Sequence, residues 1–448
     1  MDGGDAGCAG SGPHLHQHPG ALAGGAVPGG PGGGGPDPDL PVRGAVRAAL
    51  LRAGPGRAKR AHVPGRRPGV PGPGRPGPRG ATVDRRAAGG VDTGDGGAAQ
   101  VLGRLSGGHR SGAFAPGRGG GAAGGTMTLF LTESEVASLV SVPELVDALE
   151  QAFRDKAAGL AANVPRGRAA LPGGTVLHVM SAAWGPGGVT GLKAYTTSRE
   201  GGRFVVLLYD ERGRLVALLQ ADTLGQRRTG AATGLATRYL AREDARTVAV
   251  IGAGWQARTQ LEAVCAVRPI QRAWVFSRTA ERRERFAQEM SQHLGLPVLP
   301  VASAEEAVRA ADVVCTITTA RDPVVLGRWL PPGVHVNAAG SNWAHRRELD
   351  AEAVARAHRV VVDDLPQARV ECGDLIQAAA EGVFEWDRAA ELGDVVAGKV
   401  QGRASPQEVT LFCSQGIALE DVVAARLVYE RARARGVGRQ LDLGLDRP

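Results

Sequence analysis

Aromatic residues are scarce in this chain, 4% of 448 residues, and their distribution matters more than their number. Residues 1–126 hold one aromatic, Phe114, no tryptophan or tyrosine, and 38 of the 67 glycines. A segment with so little apolar bulk cannot bury enough surface to offset the entropy of ordering its backbone. It is expected to be a disordered extension. Cysteine is sparse too: Cys8, Cys265, Cys315, Cys372 and Cys413 stand far apart, with no C-x-x-C pair and no zinc spacing. That excludes a disulfide scaffold and fits reduced thiols in a cytoplasmic protein. No apolar run approaches the roughly eighteen residues of a membrane span, and the N-terminus lacks the apolar core of a secretory signal.

The formal net charge of +8 would ordinarily suggest nucleic acid or an anionic membrane as partner. All of it lies in residues 1–126, with 15 Lys+Arg against 7 Asp+Glu, and the remainder carries 38 of each sign. A Gly/Pro/Arg-rich tail without interleaved aromatics makes no nucleic-acid surface, so neither partner is expected. The cluster "HLHQH", His14 to His18, reads as incidental, and no metal is expected. Composition turns abruptly globular at Met127, "MTLFLTESEV", and translation is expected to start there.

From Ser134 to Gly159, Val136, Leu139, Val140, Leu145, Leu149 and Phe153 recur at helical spacing, with Pro143 at a helix start. "TVLHVMSAAW", "VTGLKAYTTS", "RFVVLLYD" and "RLVALLQAD" follow as short strands separated by glycine turns, an antiparallel or mixed sheet. A small-residue helix, Thr229 to Ala241, precedes a domain boundary near Glu243. Strands and helices then alternate from "TVAVIG" to "RVVVDD", the pattern of parallel βαβ units wound on both faces of a sheet. The fold class expected is α/β, a Rossmann-type doubly wound sheet with a second α+β domain. "ALEDVVAARLVYERARARG" predicts an amphipathic closing helix, with Val422, Val423, Leu427 and Val428 on one side, packing back on the first domain.

The stretch "TVAVIGAGWQAR", Thr247 to Arg258, is a strand that breaks into glycine and resumes as a helix. Gly252 permits the tight turn, Gly254 lets backbone approach a pyrophosphate, and Ala257 takes the close-packing third position, with Ala253, Trp255 and Gln256 completing the loop. A lone G-x-G-x-x-A is a weak signal, but strand before, helix after and a second strand at the right distance make it a dinucleotide site. That second strand ends in "VFSRTAERR", where NAD-binding chains usually place an acid on the ribose. Ser277, Arg278 and Arg282 stand there instead and would welcome a 2′-phosphate, so NADP(H) is favoured over NAD(H).

"GLKAYTTS", "RRTGAATG", "GAGWQA", "NAAGSN", "VVVDDLPQA" and the closing "GDVVAGKVQGRASPQEVTLFCSQGIALEDVVAA" together resemble the ornithine cyclodeaminase/mu-crystallin family, over Met127 to about Gly438. The resemblance implies a homodimer whose subunit has a substrate and dimerisation domain over residues 127–243, a Rossmann domain over 244–413, and a segment 414–448 returning to the first domain. It implies hydride exchange between a nicotinamide cofactor and the α-carbon of an amino or imino acid.

Residue by residue, it implies that Lys193 is the active-site lysine and Arg228 the arginine that grips the substrate carboxylate, a task suited to a planar fork. Arg227 is expected to face solvent or a dimer contact. One of Arg166 and Arg168 is the second carboxylate arginine, with Arg168 preferred by spacing. Thr229 falls on the cofactor phosphate side, and Ser414 with Gly416 closes over the nicotinamide. Where cyclodeaminases carry a catalytic aspartate, this chain has Asn342, which can hydrogen-bond to a substrate nitrogen but cannot take or return a proton. Reduction of an already protonated imine needs little base help, so a ketimine reductase or amino-acid dehydrogenase is expected. The alternatives are an ornithine cyclodeaminase that recycles its NAD, and a non-catalytic NADPH-binding protein. His178 and His345 are candidate substitutes for the aspartate, each more simply read as structural.

Overall fold

The computed structural model of the chain describes residues 127–445. The expectations for residues 1–126, namely disorder, a start at Met127 and an incidental histidine cluster, lie outside the described residues.

Strand β1 (Met127–Leu131) leads into α1 (Glu133–Leu139) and α2 (Val142–Ala157). The helical stretch expected from Ser134 is two helices, the second with Pro143 at its start as expected, because Val140 and Ser141 are extended. Two consecutive capping boxes cause the break: Glu135 reaches back to Thr132 and Glu144 to Ser141, so each threonine or serine starts its own helix. Pro143, in the first turn of α2, lacks only a hydrogen bond that position would not make.

Next come β2 (Ala161–Ala170), β3 (Val176–Trp184), β4 (Val189–Ser198), β5 (Gly201–Asp210) and β6 (Leu215–Gln220). They pair as an antiparallel meander, while β6 pairs parallel with β1. The first sheet is therefore mixed.

Helix α3 (Asp222–Leu240) carries the chain to the second sheet. Its small residues have a packing role. A Cβ on Gly230 would sit 2.5 Å from the carbonyl oxygen of Thr259, so glycine is what lets α3 press on α4 (Ala257–Val267). After β7 (Thr247–Ile251), strands β8 (Arg272–Phe276), β9 (Val298–Pro300), β10 (Val313–Thr316), β11 (His335–Ala338), β12 (Arg359–Val362) and β13 (Ala389–Glu391) alternate with α5 (Ala280–Leu294), α6 (Ala304–Arg309), α7 (Ala351–Arg356), α8 (Leu365–Glu371) and α9 (Gly373–Ala380). Helix α10 (Leu392–Val396), strand β14 (Thr410–Cys413), helix α11 (Ala418–Arg435) and strand β15 (Arg439–Asp442) complete the chain.

The second sheet has eight strands, all parallel, in the order β13-β12-β14-β11-β10-β7-β8-β9. Its central strands are valine-rich and buried on both faces, as parallel strands covered by helices require. The winding reverses between β7 and β10, and that switch point is where open α/β sheets bind ligands.

Helix α11 differs from expectation. Ala418 to Ala425 is buried on every side rather than along one stripe. The reason is its position: it packs on α2, α3 and strands β2 to β5, and shares one core with Leu129, Phe153, Met180 and Leu235. Strand β15 then pairs antiparallel with β1 and joins the first sheet as its edge. Among the described residues no helix is long and apolar enough to cross a membrane.

Candidate functional site

The glycine loop follows β7 directly. Gly252 has φ of +120°, its N–H donates to Phe276 O at 2.8 Å, and a Cβ there would meet Ile317 O at 2.4 Å. Only glycine meets both demands. A Cβ on Gly254 would meet nothing within 4 Å, so its backbone faces open space at the start of α4. Backbone amides facing open space before a helix can hold a phosphate, so the loop fits a dinucleotide. Ala257 is fully buried as the close-packing position requires, and Trp255 is half exposed beyond it. Ser277, Arg278 and Arg282 follow β8 beside this loop; both arginines are exposed, and Ser277 O accepts from Arg283.

At the C-terminal ends of β7, β10, β11 and β14, a cleft of about 240 Å³ opens between the two sheets. The parallel sheet contributes Gln256, Ile317, Ala339 to Asn342 and Ser414 to Gly416. The other lobe contributes Arg166, Lys193, Tyr195, Phe204, Asp222, Arg228 and Thr229. Lys193, Arg228, Thr229, Gln256, Asn342 and Ser414, singled out in the sequence, thus meet in one place. Arg168, Gly252, Gly254, Ser277, Arg278 and Arg282 are not in its wall.

The cations are held by buried carboxylates on α11. Lys193 Nζ donates to Asp421 Oδ1 at 3.0 Å; Arg228 donates from Nε to the same oxygen at 3.0 Å and from Nη1 to Glu420 Oε2 at 2.7 Å. Burial drives the Lys193 ammonium down to about 8, partly offset by Asp421. Burial also pushes the Glu420 carboxyl upward, against the pull of the Arg228 guanidinium bonded to it. Gly225, one turn before Arg228, makes room for the lysine, since a Cβ there would lie 2.6 Å from Nζ. Gly416 makes room for the arginine, 2.5 Å from Nη1, and sits at φ of +69°.

Strand β2 divides its two arginines. Arg166 is buried in the cleft wall, ion-paired to Glu371 and donating to Gln415 O and Gly416 O at 3.1 and 2.8 Å. Arg168 lies on the other side of the same carboxylate, 2.7 Å from Glu371 Oε1, donates to Asn342 O at 2.9 Å, and stacks over Trp343 at 4.4 Å. Arg166 therefore faces the cleft, whereas Arg168, preferred from the sequence as the second carboxylate arginine, does not line it. Arg227 is half-buried, and its guanidinium donates to Ala137 O and Val140 O at the end of α1.

Asp363, after β12, holds the loop closing the cleft: its Oδ2 accepts from Gln415 N and Gly416 N at 2.7 Å and from Ser414 Oγ at 3.4 Å. Burial raises its carboxyl to about 6, against these amides. Thr229 Oγ1 turns back to Gly225 O at 2.7 Å. His178 lies flat on Tyr195, which stacks on Phe204, the three being cross-strand partners on β3, β4 and β5. Burial, with Arg168 and Arg166 nearby, pushes the His178 imidazole down to about 4, so it stays neutral behind Tyr195, which is in the wall. His345 is exposed beside Trp343.

The sequence reading passed over Tyr195, Phe204, Asp222, Ser341, Gln415 and the carboxylates Asp363, Glu371, Glu420 and Asp421. The buried acids carried a signal: "ALED" puts two of them into a run that is otherwise apolar.

Three cations face a cleft whose wall holds one carboxylate, Asp222. Beside it lies a phosphate-accepting loop at the switch point of a parallel sheet. This combination is that of a dinucleotide-dependent enzyme. The chain belongs to the ornithine cyclodeaminase/mu-crystallin family, whose model matches residues 126–436. It is 42% identical over 240 residues to a Delta(1)-pyrroline-2-carboxylate reductase of Bacillus cereus, spanning 53% of this chain and 74% of that one. It is 35% identical over 321 residues to the alanine dehydrogenase of Archaeoglobus fulgidus, 70% of this chain and 98% of that one. The solved Delta(1)-pyrroline-2-carboxylate reductase of Thermococcus litoralis, in complex with NADH and L-proline, superposes with a TM-score of 0.68 at 37% identity, covering 70% of this chain and all of that one.

Proposed function

We propose that the protein reduces the C=N bond of a small α-imino carboxylate, a ketimine, using NADPH in preference to NADH. The observation that carries this reading is the cleft wall itself: Arg166, Lys193 and Arg228 converge there with Asn342, an amide, in place of a carboxylate. The relatives named as reductases of a cyclic imino acid support it, as does the complex with L-proline in the Thermococcus protein.

Arg166 and Arg228 supply the forks that grip the substrate carboxylate. Their counter-ions Glu371, Glu420 and Asp421 fix the guanidinium planes before substrate arrives. Lys193 sets a positive charge beside the substrate. The substrate enters as the protonated iminium, and the Asn342 side-chain oxygen accepts its N–H, which turns the α-carbon toward the switch point. A reduced nicotinamide held by the loop of Gly252 and Gly254 at the start of α4 would supply the hydride for that carbon. The nitrogen, already protonated, needs no base; it becomes a neutral amine and takes its next proton from water, so no side chain need act as acid either. Tyr195 and Phe204 wall the side-chain end and exclude water. Running the reaction toward ammonia loss would need a base where Asn342 stands, which disfavours the cyclodeaminase reading.

We further infer a homodimer. On β3 and β5, Leu177, Val179 and Val205 are 42, 40 and 37% exposed, while their alternating neighbours face the core. An exposed apolar sheet face of this kind is suited to a second copy.

The test is a panel of cyclic and acyclic α-imino acids with each cofactor, followed at the nicotinamide absorbance, beside ornithine with catalytic NAD. Stoichiometric NADPH oxidation with a ketimine is expected; proline formed from ornithine without net NADPH use would overturn the reading.

A further inference from the structure

Glu348, in the run "RREL", is fully buried and outside the cleft wall, yet it touches two stretches of that wall. Its Oε2 accepts from Thr316 Oγ1, at the end of β10, and from Gly340 N, after β11, both at 2.8 Å. Its Oε1 accepts from Thr318 N and Thr318 Oγ1, both at 2.6 Å. Four donors on one carboxylate thus tie together the two segments that present Ile317 on one side and Ala339 to Asn342 on the other. The join is tight: a Cβ on Gly340 would stand 2.4 Å from Thr318 N and 2.5 Å from Glu348 Oε1. Asp374 fixes the backbone of Glu348 itself, accepting from Glu348 N at 2.7 Å and Leu349 N at 2.8 Å.

We propose that Glu348 is a positioning residue whose carboxylate sets the spacing between the β10 and β11 loops, and thereby where Asn342 stands in the cleft. The chemistry admits no neutral substitute. Each oxygen receives one backbone N–H, from Gly340 or Thr318, and a backbone N–H cannot turn to accept. A glutamine would place its NH2 against one of them in either flip. One buried donor would lose its partner and the two loops would part. Burial, with Asp374 adding to it, pulls the Glu348 carboxyl upward, and the threonine donors hold it down as a carboxylate.

The test uses the full chain with Glu348→Gln and, as the milder variant, Thr318→Val, which removes one hydroxyl and leaves the backbone donor. Two measurements are made: dinucleotide binding with single-turnover imine reduction, and amide hydrogen exchange by mass spectrometry. In Glu348→Gln, kcat is expected to fall about tenfold or more while the dinucleotide Kd moves by less than about threefold. Exchange is expected to rise about tenfold in peptides covering residues 316–320 and 338–343, and to stay unchanged in the seven-stranded sheet. Thr318→Val shifts both in the same direction by a smaller factor, and decides the matter if Glu348→Gln does not fold. Unchanged exchange in those peptides, or unchanged kcat per bound dinucleotide, overturns the proposal. The kinetic arm rests on the reductase reading and the exchange arm does not. A wild-type protein that reduces no imine defeats that reading alone.

Discussion

Arg166 and Arg168 stand two residues apart on β2 and share the carboxylate of Glu371, yet only Arg166 reaches the cleft. Replacing Arg166 with alanine is expected to cost about 1.5–3 kcal/mol of substrate binding, the worth of a hydrogen bond to a charged group, which is about ten- to a hundredfold in kcat/KM. Arg168→Ala should leave the imino-acid KM within about threefold and lower kcat, because it frees the backbone at Asn342 and the ring of Trp343. Steady-state kinetics of the two variants check this; a larger KM effect at Arg168 would return the carboxylate to that residue.

Lys193 gives the pH dependence. Its ammonium, lowered to about 8 by burial, is charged below that pH and neutral above it. In the free enzyme kcat/KM should therefore hold at neutral pH and fall as pH rises through about 8. Lys193→Arg keeps its charge throughout and should carry the alkaline limb upward, until the substrate iminium itself deprotonates. A limb that stays in place in that variant would assign the titration to the substrate.

Gly225→Ala tests the lysine's seat. The added methyl would contact the end of a flexible side chain, 2.6 Å from Nζ, rather than backbone. The fold should survive with a melting temperature near that of the parent, while Lys193 is displaced and kcat/KM drops by about tenfold or more. Retained activity would show that the ammonium needs no fixed place.

Arg278 and Arg282 lie exposed past β8, next to the turn at Gly252. Arg278→Ala should weaken NADPH binding by about ten- to a hundredfold, the scale of one charge-assisted hydrogen bond. NADH binding should change by less than about threefold. Fluorescence titration with each dinucleotide measures the difference, and equal losses would remove the argument for phosphate selection.

Much of this architecture was written locally. The β-run into Gly252 and the alternation after it announce the parallel sheet, because strand period, glycine turn and helix start are all short-range signals. Lys193, Arg228 and Asn342 were found through motifs. Arg166 and Arg168 could not be separated, since residues two apart point to the same face of a strand and differ only in depth along it. The break at Val140 was legible, in "TESE" and "SVPE", but the apolar spacing runs through it and masks two capping boxes. Helix α11 looked amphipathic because Glu420, Asp421 and Arg426 punctuate it. Two of those charges turn inward, to partners some two hundred residues earlier in the chain, and no local pattern reveals that.

Those partners also impose an order of assembly. The carboxylates that neutralise Lys193 and Arg228 belong to α11, so a chain emerging from the ribosome exposes both cations long before their counter-charges exist. Strands β7 to β11 can pair as they emerge, whereas β12 and β13 wait for β14 to join them to the sheet, and the reaction centre is electrically incomplete until the helix that follows β14 threads into place. A protein shortened before Ala418 would be left with unneutralised charge in its interior, and cellular quality control should clear it rather than let it accumulate as a weak enzyme.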